Sequence, residues 1–431
     1  MLGRLLMWAW LVGSLEAALV FLHAVWRHGD RSPAVLIPTD TQNPLSSWPQ
    51  GLGELTQSGM RQHYALGQWM RRFYGSFISQ DYSAFEIHVR STNYNRTIMS
   101  AMANMAGLFP PSGRQLWNHS IPWQPVPIHS LPKDEDPLLY EQYPCPKEDA
   151  YFSDVIMKLP EVLAVMEENK AFLDFVRDKS GLPLPTLNDI YTVVDPIYCE
   201  MQHPEHEPPA WVNRTVYEKL REIDDIATSY YCPTDEAKKL RGGVLVTDII
   251  ERMQLKAAGD PRLHHLLKLQ AYSAHDTTLI VLLSTLGLFN NRNPPYASAV
   301  FLELHQDGDL FSVKVLYRNE SNDGYYLSVP GCGEPCTLET FAGLFAKFRV
   351  QRDEVDALCR GQGRLKRYLH SLTLDSWLYL CGGLGTACIG LLVSLCWITV
   401  LNFRSPSSDF AYSPLTAHTF RMQGAESCAE Y

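Results

Sequence analysis

From Trp377 to Leu401 the sequence runs without one charged side chain. At about 1.5 Å per residue such a stretch is long enough to cross the roughly 30 Å hydrocarbon core of a bilayer as a helix. A core helix of that length would carry a polar face, and Trp377 and Tyr379 suit the interfacial belt, so 377–401 is read as a transmembrane helix. The first residues place Arg4 before the apolar run Leu5 to Val12 and then small residues, the plan of a secretory signal peptide over 1–17, cleaved near Ala17 or Ala18. Arg364, Lys366 and Arg367 precede the span while Arg404 follows it, which by charge alone favours the opposite orientation. A cleaved signal overrides that bias and gives a single-pass type I protein with a stem at 360–376 and a cytoplasmic tail at 402–431. The four N-x-S/T sequons, at Asn95, Asn118, Asn213 and Asn319, all precede the span, as glycosylation requires. So do Cys145, Cys199, Cys232, Cys332, Cys336 and Cys359, an even number that fits an oxidising compartment but whose pairing spacing leaves open. Cys332-Gly-Glu-Pro-Cys336 is expected to be a disulfide rather than half a zinc site, because no second ligand pair accompanies it.

With 46% hydrophobic and 19% charged residues, the chain can bury one large core or two unequal ones. A formal net charge of -10 excludes a nucleic-acid partner, which needs clustered Lys and Arg, and means that any anion site must be locally basic. Leu19 to Trp26 is an apolar run of strand length that stops at Arg27-His28-Gly29-Asp30-Arg31, so a polar cluster stands where a buried strand ends. Thr56 to Tyr74 has helical periodicity, Phe85 to Val89 alternates like a strand, and Arg90-Ser91-Thr92 opens a helix ending near Gly107-Leu108. Pro-rich text from Pro110 to Pro146 interrupts, followed by helical stretches around 154–179 and 215–231. Gly242-Gly243 is read as a turn back to the core, Leu267 to Ser273 as a strand ending at Ala274-His275-Asp276-Thr277, and Thr278 to Leu288 as an apolar helix. Val300 to Leu304 and Phe311 to Tyr317 form an expected hairpin around Asp307-Gly308-Asp309. The expected fold is α/β: a doubly wound mixed sheet in a core of 18–125 and 242–359, with a helical domain inserted at 126–241.

Strand ends on one edge of such a sheet converge even when far apart in sequence, which brings His28, His275 and Arg90 into one crevice. Arg27, Arg31 and Arg90 then supply guanidinium forks that match phosphoryl oxygens and cannot be deprotonated, so a phosphate ester is the natural ligand. A neutral nitrogen of His28 is the candidate nucleophile. Asp276 is the candidate proton donor to the leaving alkoxide, and His275 a holder of phosphoryl oxygens.

Arg27-His28-Gly29-Asp30-Arg31-Ser32-Pro33 resembles the RHGxRxP signature of the histidine acid phosphatases, and Ala274-His275-Asp276-Thr277 resembles their second HD element. The similarity continues through Ser47-Trp48-Pro49-Gln50-Gly51, Arg90-Ser91-Thr92, Trp123-Gln124-Pro125, Pro294-Pro295-Tyr296-Ala297 and Pro330-Gly331-Cys332. The resemblance implies a phosphoglycerate mutase-like core and hydrolysis of phosphate monoesters through a phosphohistidine, without metal or cofactor, in a homodimer. It gives His28 and Asp276 the catalytic roles and Arg27, Arg31, Arg90 and His275 the phosphate. It also implies disulfides Cys145–Cys359 and Cys332–Cys336. Ala299 stands where the family has a cysteine, so the usual partner of Cys199 is missing and Cys199 is expected to pair with Cys232. Asn95 replaces a common Asp and creates a sequon close to Arg90. In the tail, Tyr412-Ser-Pro-Leu415 fits the YxxΦ signal that sorting adaptors read, and the expected address is the lysosomal or endosomal membrane or the plasma membrane, with the catalytic part luminal or extracellular. Two rival readings are a catalytically silent receptor ectodomain on the same fold and a phosphotransferase that passes the phosphoryl group to another alcohol.

Overall fold

Alternation along the first apolar run explains where it sits. In β1 (Ala18–Arg27), Phe21 and Val25 point to one face of a sheet and Leu22, Ala24 and Trp26 to the other, and all five are fully buried. A strand buried on both faces belongs at the centre of a sheet. The computed structural model, which describes residues 17–140, 143–319 and 323–360, places β1 in a six-stranded mixed sheet of order β2-β3-β1-β4-β5-β6. β2 (Ile87–Ser91) and β3 (Leu269–Ala274) run parallel to β1. β4 (Ala299–Asp307), β5 (Leu310–Arg318) and β6 (Tyr325–Leu327) continue antiparallel, the β4–β5 turn passing through Gly308 at φ 57°. Arg27 lies opposite Ala274, and Ser91 opposite Ser273. The carboxyl ends of three neighbouring parallel strands are therefore level, the crevice position of an open α/β sheet.

Helices α1 (Gln57–Phe73) and α2 (Asn95–Leu108) cover the Leu22–Trp26 face, α1 capped by Thr56, whose side chain accepts from Gly59 N. Between β2 and β3 the chain forms α3 (Pro146–Asp154), α4 (Pro160–Glu168), α5 (Lys170–Ser180), α6 (Tyr191–Met201), α7 (Arg214–Ser229) and α8 (Asp235–Ala258). α9 (Asp276–Thr285) follows β3, and α10 (Leu338–Leu344) and α11 (Val355–Cys359) close the described chain. α8 and α9 pack on the Phe21–Val25 face, while α4 to α7 share a cluster of their own with Ile37 and Val281.

Several expectations change. Arg90 and Ser91 do not open a helix but end β2, and the helix after them starts at Asn95. Gly242 and Gly243 are not a turn but the interior of α8; a Cβ on Gly242 would stand 2.5 Å from Thr285 Oγ1 and one on Gly243 2.4 Å from the Phe348 carbonyl oxygen, so both are glycine because neighbours press on the helix. The helical stretch at 154–179 is broken at Leu159-Pro160 and at Asn169. Cys199 and Cys232 do not pair: both are buried free thiols. Cys199 faces the site from α6, its Sγ 3.5 Å from Arg31 Nη1 and 3.3 Å from the Tyr296 hydroxyl, whereas Cys232 packs into the helical cluster after α7. Cys145 is bonded to Cys359 and Cys332 to Cys336. Among the described residues no helix is long and apolar enough to cross a membrane; residues 1–16, the stretch 377–401 and Tyr412 to Leu415 lie outside the described residues.

Candidate active site

β1 carries Arg27 to the sheet edge and the next residues turn across the start of α1. That turn runs so close to the helix that a Cβ on Gly29 would stand 2.4 Å from Gly59 O and one on Gly59 2.2 Å from Asp30 O. Glycine at both positions lets the loop lie against α1, where Asp30 N donates to Gln62 Oε1 at 2.7 Å and the Asp30 carboxylate takes the Thr56 hydroxyl and His203 Nε2.

His28 is 1% exposed. Its Nδ1 lies 2.8 Å from Gly29 O, and a carbonyl only accepts, so Nδ1 carries the proton and the lone pair is left on Nε2. Burial first, then the charges of Arg96, Arg27, Arg31 and His275, hold its pKa well below the ordinary value. The imidazole therefore stays neutral, hence nucleophilic, in acid.

β3 delivers His275, whose ring lies 5.6 Å from that of His28, edge to face. Its Nε2 meets Thr92 Oγ1 at 2.9 Å and its Nδ1 lies 3.4 Å from Arg96 Nη2. A guanidinium only donates, so Nε2 is the protonated nitrogen. Burial, and the charges of Arg96, Arg31 and Arg27 outweighing that of Asp276, also keep this histidine neutral.

Asp276 opens α9. Its Oδ2 is 2.7 Å from Arg27 Nη2, and Oδ1 accepts from Thr277 N at 2.8 Å. Partial burial pushes its pKa up, but Arg27, Arg31, His275 and the Thr277 N–H prevail and hold it below the usual carboxylate range. Arg31 is gripped end-on by Asp195 of α6, through contacts of 2.7 and 3.1 Å.

These residues surround a cavity of about 210 Å³ lined by His28, Arg31, Arg96, His275 and Asp276, among others. Arg27 lies just behind, in contact with Asp276. The Nε–H groups of Arg27, Arg31 and Arg96 are buried and have no hydrogen-bond partner among the described residues. Arg31 and Arg96 line the cavity beside a neutral imidazole and Arg27 stands behind it, so fixed cationic donors are already in place for an anion.

Arg90 is not among the residues around this cavity. Its guanidinium is held by the buried Asp136 at 2.7 Å, and Arg96, six residues on, occupies the cavity wall. Asp195, which fixes Arg31, was also not read from the sequence. Of the sequons, Asn95 is exposed and beside Arg96, its amide 3.0 Å from Glu54 Oε1. Asn118 sits in a loop, Asn213 caps α7 by accepting from Val216 N, and Asn319 follows β5.

Residues 18–318 match the family model described as histidine phosphatase superfamily (branch 2). The chain is similar to a lysosomal acid phosphatase of Xenopus laevis, 41% identical over 339 residues that cover 77% of each chain. It is similar as well to a prostatic acid phosphatase of Rattus norvegicus, 41% identical over 332 residues, covering 76% of this chain and 85% of the relative. Among solved structures, a Klebsiella sp ASR1 phytase superimposes with a TM-score of 0.58 at 18% identity, covering 77% of this chain and 94% of that one, a likeness of fold.

Proposed function

The chain belongs to branch 2 of the histidine phosphatase superfamily and is an acid phosphatase, and from that premise we propose that His28 is the nucleophile, Asp276 the proton donor, and Arg27, Arg31, Arg96 and His275 the phosphate cradle. The Nε2 lone pair of His28 attacks phosphorus as the P–O bond to the alcohol breaks, and Asp276 gives its proton to the leaving oxygen. A water then attacks phosphorus as the P–N bond breaks, Asp276 takes the water's proton, and phosphate leaves with the Nε2 lone pair of His28 restored. The arginines spread the charge of the transferring group at both steps. In the empty site they also keep Asp276 ionised. A bound phosphoryl group compensates their field and returns its pKa toward the acid range where it can donate, so activity falls as pH rises and the protonated fraction is lost.

The observation that supports this reading best is the tautomer of His28, fixed by Gly29 O, in one cavity with Arg31 and Arg96. The test is hydrolysis of a phosphate monoester with an uncharged aryl group by the full chain between about pH 4 and 8, with chelator present, beside His28→Ala. Acid-favoured, chelator-resistant turnover that drops by about 10³-fold or more in the variant supports it; a folded variant with undiminished turnover overturns the assignment of His28. Arg90 takes no part in the proposed cradle.

The signal-like start, the span at 377–401 and the sequons on one side of it support a luminal catalytic part, with the homodimer and an adaptor at Tyr412 and Leu415 as further parts of the reading. The name of the Xenopus laevis relative favours a lysosomal address. Glycosidase treatment of the same full-length preparation checks the luminal side, since an unchanged mass would argue against it.

A further inference from the structure

Beyond the phosphate cradle the wall of the cavity changes character. Tyr191, Tyr231, Thr228, Asn188 and Ile280 line it, all uncharged, and with them stands Asp224 of α7. Among the described lining residues the only cations are Arg31 and Arg96 of the cradle, and beyond them the carboxyl group on the wall is that of Asp224.

We propose that Asp224 is a specificity-determining residue that selects phosphate monoesters whose leaving alcohol is neutral or carries a cation, and disfavours those whose alcohol carries a second anion, polyphosphates included. This rests on the acid phosphatase reading and on the cavity being where the ester binds. A dianionic phosphoryl group consumes the arginines. A second phosphate, sulfonate or carboxylate on the alcohol finds no guanidinium beyond Arg31 and Arg96 lining this cavity and faces Asp224, whose charge Arg221 at 3.6 Å offsets only in part, at low effective dielectric where like charges repel. An ammonium group there gains instead.

The groups that face Asp224 set when it is charged. From its own helix these are Arg221, whose Nη1 is 3.6 Å from Asp224 Oδ2, and Asp225; from the packed elements they are Asn293, a hydrogen-bond partner, and Asp276 across the cavity. Arg221 lines the neighbouring cavity with Arg27 and Tyr198, not the one that holds His28. Burial, countered by Arg221, pushes the Asp224 pKa up to about 6. The selection is therefore strongest above that pH and fades below it.

The probes are three aryl phosphates with a methyl, a sulfomethyl or a trimethylammoniomethyl group in the para position. Their permanent charges do not titrate, and the reacting phosphoryl group is the same in all. In the wild-type full chain the ratio of kcat/KM for the cationic over the anionic ester is expected to be larger at neutral than at acid pH. In Asp224→Asn it drops by about tenfold at neutral pH and becomes independent of pH through 6. Asp224→Ser, smaller and also neutral, is expected to match it. An unchanged ratio in both variants overturns the proposal. If neither variant folds, the wild-type ratio decides, and a ratio flat across pH overturns it. Failure of the wild-type chain to hydrolyse even the methyl ester would count against the activity itself rather than against this role of Asp224.

Discussion

Arg96 sits in the first turn of α2, where a cation is disfavoured because unsatisfied N–H groups give a helix N-terminus positive character. Burial lowers its pKa further, with Arg31 adding repulsion. Such a residue is tolerated where an anion comes to meet it. Arg90 has its anion already, in Asp136. Arg96→Ala is thus expected to lower kcat/KM by about 10²–10³-fold with little change in Tm. Arg90→Ala leaves the buried Asp136 carboxylate with only the Leu138 and Leu139 N–H groups as partners and should cost about 3 kcal/mol of stability, leaving kcat/KM of the folded enzyme within about tenfold. Kinetics and thermal unfolding on both variants check this, and the reverse pattern would return the phosphate to Arg90. Both histidines and Asp276 were legible because each stands next to the end of an apolar run. Arg96 was missed because it lies within a helix, past the strand end. The clue in the sequence was that Arg96 stands in the first turn of α2 with no acidic residue beside it there.

Elements were legible where their own residues decide them, and hidden where neighbours do. β1, α1, β3 and the β4–β5 hairpin announce themselves by period and by turn chemistry. α8 does not, because Gly242-Gly243 is a turn signal in isolation, and that both are glycine because Thr285 and the Phe348 carbonyl leave no room for a Cβ shows only in the packed helix. α6, which carries Asp195 to Arg31, is masked by Pro196 and by Thr192-Val193-Val194, residues poorly suited to a helix interior. The contact at Gly243 has a sign that can be tested. In an exposed helix, Gly→Ala stabilises by about 0.8–1.0 kcal/mol. Here the new methyl meets a backbone oxygen, and Gly243→Ala is expected to destabilise by about 1–3 kcal/mol instead. Urea unfolding measures it, and a gain in stability would mean that α8 and the 346–350 segment are not pressed together as described.

At the scale of the whole molecule the site depends on a joint that no run of sequence displays. The RHGxR loop leaves β1, yet Asp195 grips Arg31, His203 meets Asp30, and Glu200 lies against Asp40, all from α6 or the residues just after it. Glu200 is 1% exposed, and burial, then the charge of Asp40, pushes its pKa up to about 8. In the folded chain it keeps its proton from the ordinary carboxyl value up to about 8, while in the unfolded chain it loses the proton near about 4.3. The folded state therefore binds more protons across that window, and stability falls as pH rises through it, by about 3 kcal/mol between pH 4.5 and 7 from this group. Buried His23 and His63 act in the opposite sense. Both have pKa values lowered to about 3, so each gives up stability as pH falls below about 6.5, by about 2 kcal/mol at pH 5. Gln at position 200 imitates the protonated acid and can still donate to Asp40. Glu200→Gln is accordingly expected to raise Tm at neutral pH while leaving it nearly unchanged near pH 4.5, a difference read by thermal unfolding at the two pH values. An equal shift at both would show that Glu200 does not hold its proton. The expected asymmetry would show that the contact of α6 with Asp40, beside the contacts of Asp195 and His203 with the catalytic loop, is stabilised by protonation toward acid pH.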